Sequence, residues 1–274
     1  MTKIIAALDN SLAATPVLST AISLADLLDA DVAAVHVAVD GARVAENTAQ
    51  SAGLTLRTVH GHVVEQLLEE AQPEPVAALV LGARGTPGSR RPLGATAIAI
   101  ATRLAKPIVV VPPDLRAKHE LHRVLIPIER HTSPALTPRA IIELAQDTAL
   151  EIVVLHVHEP SSVPAFTDQP QHEQPAWARE FVRRYCPWGI GSVGMEVRSG
   201  NPEEVIPLVA EEAGADIIAL GWAQELGEGR APIVRAVLAR AKVPVMLVPV
   251  GVDSPVDRSG PKEESWSNLP SLRA

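Results

Sequence analysis

The stretch Lys3–Ser11 reads KIIAALDNS, and the stretch Arg123–His131, 120 positions further on, reads RVLIPIERH. Each is a short run of mostly aliphatic residues that ends at a carboxylate, Asp9 in the first and Glu129 in the second. A short apolar run without polar alternation is typical of a strand buried on both faces of a parallel sheet. The chain therefore starts the same strand pattern twice.

Three further pairs of segments repeat in the same order along the chain. They are Asp31–Val39 (DVAAVHVAV) with Glu151–Glu159 (EIVVLHVHE), Val76–Gly82 (VAALVLG) with Ala215–Gly221 (ADIIALG), and Ala101–Pro113 (ATRLAKPIVVVPP) with Leu238–Val250 (LARAKVPVMLVPV). Their offsets are 120, 139 and 137 positions, so the second copy carries an insertion near its middle. Matching blocks in one order indicate an internal duplication.

Each copy alternates between strand and helix patterns. Strands are predicted at Lys3–Leu8, Val32–Val39, Val76–Leu81 and Ile108–Val111, and helical spacing appears at Leu12–Leu28 and His62–Ala71. In the second copy, Asn201 followed by Pro202 and two glutamates predicts a helix start with the asparagine as N-cap. Right-handed crossovers place helices on both faces of a parallel sheet, so we predict an α/β protein with two doubly wound, five-stranded parallel sheets.

The duplication divides the chain into two domains, residues 1–113 and residues 122–250. Residues 251–274 are rich in Pro, Ser, Gly and charge and are predicted to form a disordered tail. We expect the two domains to pack about a pseudo-twofold axis as an intramolecular pseudo-dimer. The last strands, Ile108–Val111 and Val245–Val248, are the expected contact because apolar edge strands need cover.

Composition excludes several classes of function. With 24 basic and 32 acidic residues, the net charge of −8 does not suit a nucleic-acid-binding protein. Cys186 is the single cysteine, which excludes an internal disulfide and a metal site of several cysteines. Asp9 interrupts the first apolar run too early for a signal peptide, and no run of about 18 apolar residues predicts a membrane span. We expect a cytoplasmic protein.

The repeated segments resemble the universal stress protein family in its tandem two-domain form. The likeness rests on IIAALDNS at the first strand, VHV and LHV in the second strands, SGNPEEVI before a helix, ADIIALG, and KPIVVVP and VPVMLVP as last strands. It implies the strand order 3-2-1-4-5 in each half, with a ligand crevice between strands 1 and 4. It also implies a nucleotide-binding stress-response or signalling module without dedicated catalysis. A crevice is independently expected there, outside the carboxyl ends of the strands where the strand order reverses.

The segment LVLGARGTPGSRRPLGAT at residues 79–96 is the candidate phosphate-binding loop. ATP-binding members of the family carry Gly, two residues, Gly, nine residues, then Gly-Ser or Gly-Thr. Here Gly82 and Gly85 fit, but the third glycine follows after eight residues, Ala95 replaces the hydroxyl residue, and Thr96 comes one place later. Glycines let backbone N–H groups approach phosphate oxygens, and a helix that starts here attracts anions. A loop that only caps the helix is the alternative.

By this resemblance the first half holds the nucleotide site. The residues that would form it are Leu8 and Asp9 in the crevice, Val37 facing the adenine, and Gly82, Gly85, Gly94, Ala95 and Thr96 at the ribose and phosphates. ATP is the expected ligand, with or without Mg²⁺, and no residue is identified as a metal ligand. A protein of the same fold that binds no nucleotide, and serves structure or interaction, is the alternative.

In the second half the corresponding positions have changed. Gln224 stands where Gly85 stands in the first half, and Glu129 replaces Asp9. Trp222 adds bulk, and the glutamates that follow it add negative charge near any phosphate. We predict that this half has lost the nucleotide site or binds something else, so at most one nucleotide binds per chain.

Other motifs do not favour an enzyme. GIGSVG at Gly189–Gly194 matches a dinucleotide fingerprint, but it leads into a strand-like segment instead of opening a helix. The chain has no G-x-x-x-x-G-K-[ST] string and none of the HIGH-like or SGG-x-D-S-like strings of adenylate-forming enzymes. A phosphoacceptor receiver domain needs an acidic pair, a further Asp and a Lys, and only Asp9 is available. His36 and His156 lie within apolar runs and are interpreted as core or crevice-edge residues. No catalytic residue is predicted.

Overall fold

The computed structural model describes residues 1–38, 41–83, 93–115, 120–128, 150–158, 193–226 and 230–250. In the first half the elements are β1 (Lys3–Ala7), α1 (Ala14–Leu28), β2 (Asp31–Ala38), α2 (Arg43–Ser51), β3 (Leu56–His60), α3 (Val63–Ala71), β4 (Val76–Gly82), α4 (Ala95–Ala101) and β5 (Ile108–Val111). In the second half they are β6 (Arg123–Ile128), β7 (Glu151–His158), β8 (Val193–Ser199), α5 (Pro202–Glu212), β9 (Ile217–Trp222), α6 (Pro232–Arg240) and β10 (Val245–Pro249).

These strands form one sheet, in the order β3-β2-β1-β4-β5-β10-β9-β6-β7-β8. Within each half neighbouring strands are parallel and follow the order 3-2-1-4-5, counted from the first strand of that half. The predicted α/β class and strand order are confirmed. In the first half β2 and β3 lie on one side of β1, and β4 and β5 lie on the other. The strand order therefore reverses between strands 1 and 4.

The two halves join edge to edge at β5 and β10, a junction that we call the seam. The two strands pair antiparallel, with Val110 opposite Val245 and Ile108 opposite Leu247. The prediction that the terminal strands form the contact is confirmed. The contact is backbone pairing within one ten-stranded sheet, because each edge strand supplies the hydrogen-bond partners that the other lacks. An antiparallel pairing of equivalent strands is what a pseudo-twofold axis at the seam requires.

Both faces of the sheet are buried. Alternate residues of a strand point to opposite faces, and in β1 Ile4 shares one apolar cluster with Val17 of α1, whereas Ile5 shares the other with Leu67 of α3 and Ile100 of α4. Each cluster also contains residues of the second half. The core is therefore continuous across the seam.

The start of α5 has the predicted cap. Asn201 Oδ1 accepts a hydrogen bond from the N–H of Glu203 at 3.0 Å, and Pro202 is the first helical residue. Gly200, which precedes the cap, has a φ of +143°, and Gly61 has a φ of +142° at the same position of the first repeat. The two halves therefore make the same strand-to-helix turn, in a conformation that L-residues rarely adopt.

Some predictions need correction or fall outside the described ranges. The first helix begins at Ala14 rather than at Leu12. β8 begins at Val193, so GIGSVG ends inside a strand, which argues against a dinucleotide-binding turn. Gly85, Glu129, Cys186 and residues 251–274 lie outside the described residues. Within the described ranges, no helix has both the length and the apolar character to cross a membrane.

Candidate functional site

A cavity of about 350 Å³ opens at the carboxyl ends of β1 and β4, and we call it the switch-point cavity. These strands are neighbours in the sheet, at the place where the strand order of the first half reverses. Its walls come from the ends of β1, β2 and β4 and from α1, α3 and α4. The volume lies within the range of small-molecule sites.

Most of the residues that the sequence analysis singled out lie on this cavity. Its wall includes Leu8, Asp9, Val37, Gly82, Gly94 and Thr96. Ala95 is the first residue of α4 and lies between two wall residues. Gly85 is outside the described residues, so its predicted place at the phosphates stays a prediction.

Four aliphatic residues from the helices belong to the wall and were not predicted from the sequence. They are Val17 of α1, Val63 and Leu67 of α3, and Ile100 of α4. Helical spacing identifies such residues as facing the sheet. That spacing does not distinguish a core residue packed on all sides from one that borders a cavity, and we find no signal in the sequence that does.

His36 connects the end of β1 to the start of the segment before α2. Its ring is buried, with Nδ1 2.8 Å from the carbonyl oxygen of Leu8 and Nε2 2.8 Å from the carbonyl oxygen of Gly41. Carbonyl oxygens only accept, so both contacts are hydrogen bonds only when both ring nitrogens carry hydrogen. The structure places His36 at the edge of the crevice, as interpreted from the sequence, with its nitrogens engaged by the backbone.

The turn after β1 is held by polar side chains. Asp9 Oδ1 accepts hydrogen bonds from the N–H of Ser11 at 3.0 Å and from its hydroxyl at 2.6 Å. Asn10 Nδ2 donates to the carbonyl of Gly41 at 2.7 Å, and its Oδ1 accepts from the N–H of Val44 at 3.1 Å. These bonds fix the Asp9 carboxylate beside the cavity and tie the turn to the start of α2.

The wall between β4 and α4 is mainly backbone. The N–H of Gly94 donates to the carbonyl of Ala83 at 2.7 Å, which brings the two described ends of the loop together. Gly94 has a φ of −71°, which any residue can adopt, so the lack of a side chain here provides space rather than conformational freedom. Because α4 has only seven residues, its N-terminus attracts anions less than a longer helix would.

Charge on the described part of the wall is sparse. Asp9 is the one carboxylate among the described wall residues, and these include no lysine or arginine. Nowhere in the described part of the chain do three or more His, Cys, Asp or Glu side chains form a group that could hold a metal ion.

The corresponding strand end of the second half carries larger side chains. Trp222 stands at the repeat position of Ala83 and is only 4% exposed. Gln224, two positions later, has a φ of +58°. Its Nε2 donates to the carbonyls of Ala101 at 3.1 Å and Leu104 at 2.8 Å, both in the first half. The end of β9 therefore contributes to the joining of the two halves.

Two doubly wound halves in one sheet, with a cavity at a switch point, define a tandem α/β protein. The model of the universal stress protein family matches residues 120–249. The second half of this chain belongs to the universal stress protein family, and the first half repeats its strand order. The resemblance of the repeated segments to this family is thereby confirmed.

Solved structures share the fold over nearly the whole chain. A universal stress protein from Archaeoglobus fulgidus DSM 4304 has a TM-score of 0.62 at 17% identity, covering 92% of this chain and 97% of that one. A functionally unknown protein from Pseudomonas aeruginosa PAO1 has a TM-score of 0.61 at 13% identity, covering 91% of this chain and 92% of that one. At these identities the likeness establishes the fold alone.

A third solved structure is matched over half of the chain. It is a universal stress protein family protein from Arabidopsis thaliana with AMP bound, and the match covers 50% of this chain and 97% of that one at 19% identity. Its TM-score of 0.36 supports no comparison of sites. No curated protein matches this chain in sequence.

Proposed function

We propose that this chain is a nucleotide-binding stress-response or signalling protein without dedicated catalysis, and that ATP binds in the switch-point cavity of the first half. One observation carries the proposal: six residues chosen from the sequence line a single cavity of about 350 Å³. The family match supports the proposal through the second half of the chain. The cavity lies where open α/β sheets bind their ligands.

The apolar part of the cavity suits a purine base. Val37 at the end of β2, Leu67 of α3 and Ile100 of α4 provide aliphatic side chains that are 7%, 5% and 0% exposed. The transfer of a flat heteroaromatic ring from water to a site with such walls is favourable. These walls select a flat ring rather than one particular base, so the choice of adenine rests on the resemblance to ATP-binding members.

The backbone wall suits the phosphates. Gly82 and Gly94 have no side chains, so phosphate oxygens can approach the N–H groups of the first turn of α4, whereas the N–H of Gly94 itself donates to Ala83. The hydroxyl of Thr96 adds a donor. The Asp9 carboxylate would repel a phosphate, and in this proposal it accepts hydrogen bonds from the ribose hydroxyls.

Any Mg²⁺ that enters with the nucleotide is held by the phosphates and by water in this proposal. Mg²⁺ usually keeps several waters and binds through one or two carboxylates together with phosphate oxygens. Among the described residues, Asp9 is the one carboxylate on the wall. The described residues therefore contribute little to holding the ion.

A protein of this fold that binds no nucleotide is the second candidate. The loop after β4 is one residue shorter than the pattern of ATP-binding members, and Ala95 removes its hydroxyl. Both changes weaken the phosphate end. In that case the paired halves serve structure or interaction.

Isothermal titration calorimetry with ATP tests the proposal, with Gly82→Val as the test variant and Gly221→Val as its matched control. Both glycines stand near the end of the fourth strand of their half, paired with Val111 and Val248 respectively. A valine should therefore disturb the sheet equally, but only Gly82 lies on the cavity. We expect one site per chain, about tenfold or greater loss of affinity for Gly82→Val, and no change for Gly221→Val.

Two equal sites per chain, or unchanged affinity in the Gly82→Val protein, would contradict the assignment. No binding by a folded wild-type protein would favour the structural role. Chromatography of the nucleotide after incubation should recover intact ATP. Steady release of ADP would instead indicate an ATP-using enzyme.

A further inference from the structure

The ring of His36 joins two carbonyl groups on the wall of the switch-point cavity. Its Nδ1 lies 2.8 Å from the carbonyl oxygen of Leu8, and its Nε2 lies 2.8 Å from that of Gly41. All three residues belong to the cavity wall. We call this contact, from Leu8 through His36 to Gly41, the histidine bridge. It connects the end of β1 with the segment before α2.

The two carbonyl partners determine which form of the ring fits. A neutral imidazole carries hydrogen on one nitrogen and a lone pair on the other, whereas an imidazolium carries hydrogen on both. In either neutral form, a lone pair of the ring would lie 2.8 Å from a carbonyl oxygen and would repel it. The bridge is therefore complete only when the ring is charged.

Burial makes the loss of one of these hydrogen bonds unfavourable. His36 is 5% exposed and Leu8 is 3% exposed, so little water reaches the contact. A buried polar atom without a partner is costly, because no water replaces the bond that it has lost. When the ring loses its proton, the wall must therefore adjust until the lone pair no longer faces a carbonyl oxygen.

Asn10 limits how far this adjustment extends. Its Nδ2 donates to the same Gly41 carbonyl at 2.7 Å, and its Oδ1 accepts from the N–H of Val44 at 3.1 Å. Neither bond involves a group that titrates, so both persist in either charge state of the ring. Deprotonation of His36 should therefore change the cavity wall locally and leave the fold intact.

The charge of the wall favours the same form of the ring when the ligand is an anion. Among the described wall residues Asp9 is a carboxylate, and there is no lysine or arginine. Within this set a charged His36 balances Asp9, whereas a neutral His36 leaves a net negative charge. Phosphate oxygens are repelled less in the first case.

Other titratable groups lie on the elements packed around the ring. Thr58 is the residue paired with His36 across β2 and β3, and the wall residues of α1 and α3 are apolar. The neighbouring charged or titratable residues that the structure describes are all exposed, and they are Asp9, Arg43, His60, His62 and Glu65. Asp40, which precedes Gly41 in the sequence, lies outside the described residues.

We propose that the histidine bridge makes the switch-point cavity sensitive to protons. With the ring charged, the bridge holds the wall in the shape that accepts a nucleotide. With the ring neutral, one carbonyl is released, the wall shifts, and the nucleotide binds more weakly. Histidine ordinarily changes charge between about pH 5 and about pH 8, so the change is expected in this range. The weaker binding rests on the function proposed above, whereas the change of the wall does not.

NMR titration of the full chain without ligand tests the bridge itself. The ring-nitrogen signals report how many nitrogens carry hydrogen, and through-bond correlations assign them to residue 36 among the nine histidines. We expect hydrogen on both nitrogens at about pH 5 and on one at about pH 8. The backbone amide signals of Asp9 and Ala42, which share peptide groups with the two carbonyls, should move with the same midpoint. A ring that keeps one charge state throughout, or amide signals that stay unmoved, would overturn the proposal.

Calorimetry with ATP tests the effect on binding, with His36→Gln as the test variant and His60→Gln as its matched control. Glutamine keeps an N–H donor but does not titrate, and His60 is an exposed residue of β3 that is not on the cavity wall. The phosphates of ATP titrate as well, but equally for every protein, so the comparison isolates His36. We expect the ratio of the affinity at about pH 5 to that at about pH 8 to be about tenfold larger for the wild type and His60→Gln than for His36→Gln.

Asp40→Asn tests the neighbouring carboxylate in the same way. It should keep the wild-type ratio, and a ratio as small as that of His36→Gln would assign the pH dependence to Asp40 and overturn the proposal. Equal ratios in the wild type and His36→Gln would also overturn it. No binding of ATP by the folded wild type would refute the proposed nucleotide function. In that case, or if His36→Gln does not fold, the NMR titration alone decides whether the bridge responds to protons.

Discussion

Compared at the ends of their fourth strands, the two halves use one backbone plan for different purposes. In the first half Ala83 follows β4 and lines the switch-point cavity. In the second half Trp222 ends β9 and is buried, and Gln224 reaches across the seam to α4. A small residue at the strand end of the first half therefore corresponds to a large buried residue in the second half. Gln224, which follows that residue, joins the second half to the first.

The two halves have kept the backbone turns that the sheet requires, and they differ in the side chains at the ends of their strands. The turn before α3 and α5 uses a glycine with φ near +142° in both halves, since the chain must leave the strand at that angle in each. Strand ends have no such constraint. A pseudo-symmetric pair can therefore keep one open cavity while the other half strengthens the seam.

Trp222→Ala should produce the largest loss of stability. The indole is 4% exposed, and truncating a buried Trp to Ala costs about 3–5 kcal/mol. Urea unfolding measures the loss, with Leu208→Ala as control, because Leu208 is 54% exposed on α5 and should change stability by at most about 0.5 kcal/mol. A cost below about 1 kcal/mol for Trp222→Ala would mean that the indole contributes little to the core.

Gly200→Ala and Gly61→Ala test the shared turn. Both positions have φ near +142°, so a Cβ should cost about 1–3 kcal/mol at each. The larger cost is expected at Gly200, where the new Cβ would lie 2.9 Å from Cγ2 of Val205, against 3.1 Å from the flexible Gln66 side chain at Gly61.

Chemical denaturation of the two glycine variants is compared with Gly194→Ala. Among the described residues, a Cβ at Gly194 would meet only the carbonyl oxygen of Ile152, at 4.0 Å, and this change should be nearly neutral. If Gly61→Ala is as neutral as Gly194→Ala, the turn at Gly61 does not require glycine, and the two turns are not equivalent in free energy.

Gln224→Ala should weaken the seam by about 1–3 kcal/mol, because two hydrogen bonds to α4 are lost at about 0.5–1.5 kcal/mol each. Gln224→Gly loses the same bonds but removes backbone strain, because residue 224 has a φ of +58°. That conformation costs L-residues about 1–2 kcal/mol. The glycine variant should therefore unfold at a higher urea concentration than the alanine variant. The reverse order would show that the φ value carries no strain.

Much of this architecture could be predicted because its signals are local or follow from the repeat. Apolar runs identify β1 and β4, and an apolar edge strand predicts the β5–β10 contact. β3 (Leu56–His60) gives no such signal, because an edge strand with three exposed residues has no continuous apolar run. The reach of Gln224 to Leu104 joins residues 120 positions apart, and no local pattern encodes it.

Some residues of the candidate site could be predicted from the sequence, and others could not. The strand-end residues Leu8, Asp9 and Val37 could be chosen by resemblance, because the switch point fixes where strands end. Val17 and Leu67 could not, because cavity walls depend on how far helices stand from the sheet. That distance is set by the packing of the whole core, which periodicity does not report.

The smallest expected effect compares two arginines at one repeat position. Arg103 donates to both carboxylate oxygens of Glu65, at 2.8 and 2.9 Å, joining the end of α4 to the start of α3. Arg240, its counterpart, donates instead to the backbone carbonyl of Glu203 at 2.8 Å. The first acceptor titrates and the second does not.

The hydrogen bond and charge of Arg103 hold the pKa of Glu65 below its ordinary value, and the charge of His62 acts in the same direction. A carboxyl with a lowered pKa stabilises the fold above the pKa of its unfolded form, and this contribution disappears as pH falls through the folded pKa. The small cost of Arg103→Gln should therefore shrink as pH falls from neutrality through the acid range. The cost of Arg240→Gln should stay constant, since its acceptor is a carbonyl. Urea midpoints of both variants and the wild type, measured at several pH values, decide the matter. Parallel pH profiles for the two variants would show that the Glu65 carboxylate contributes nothing to the join between α3 and α4.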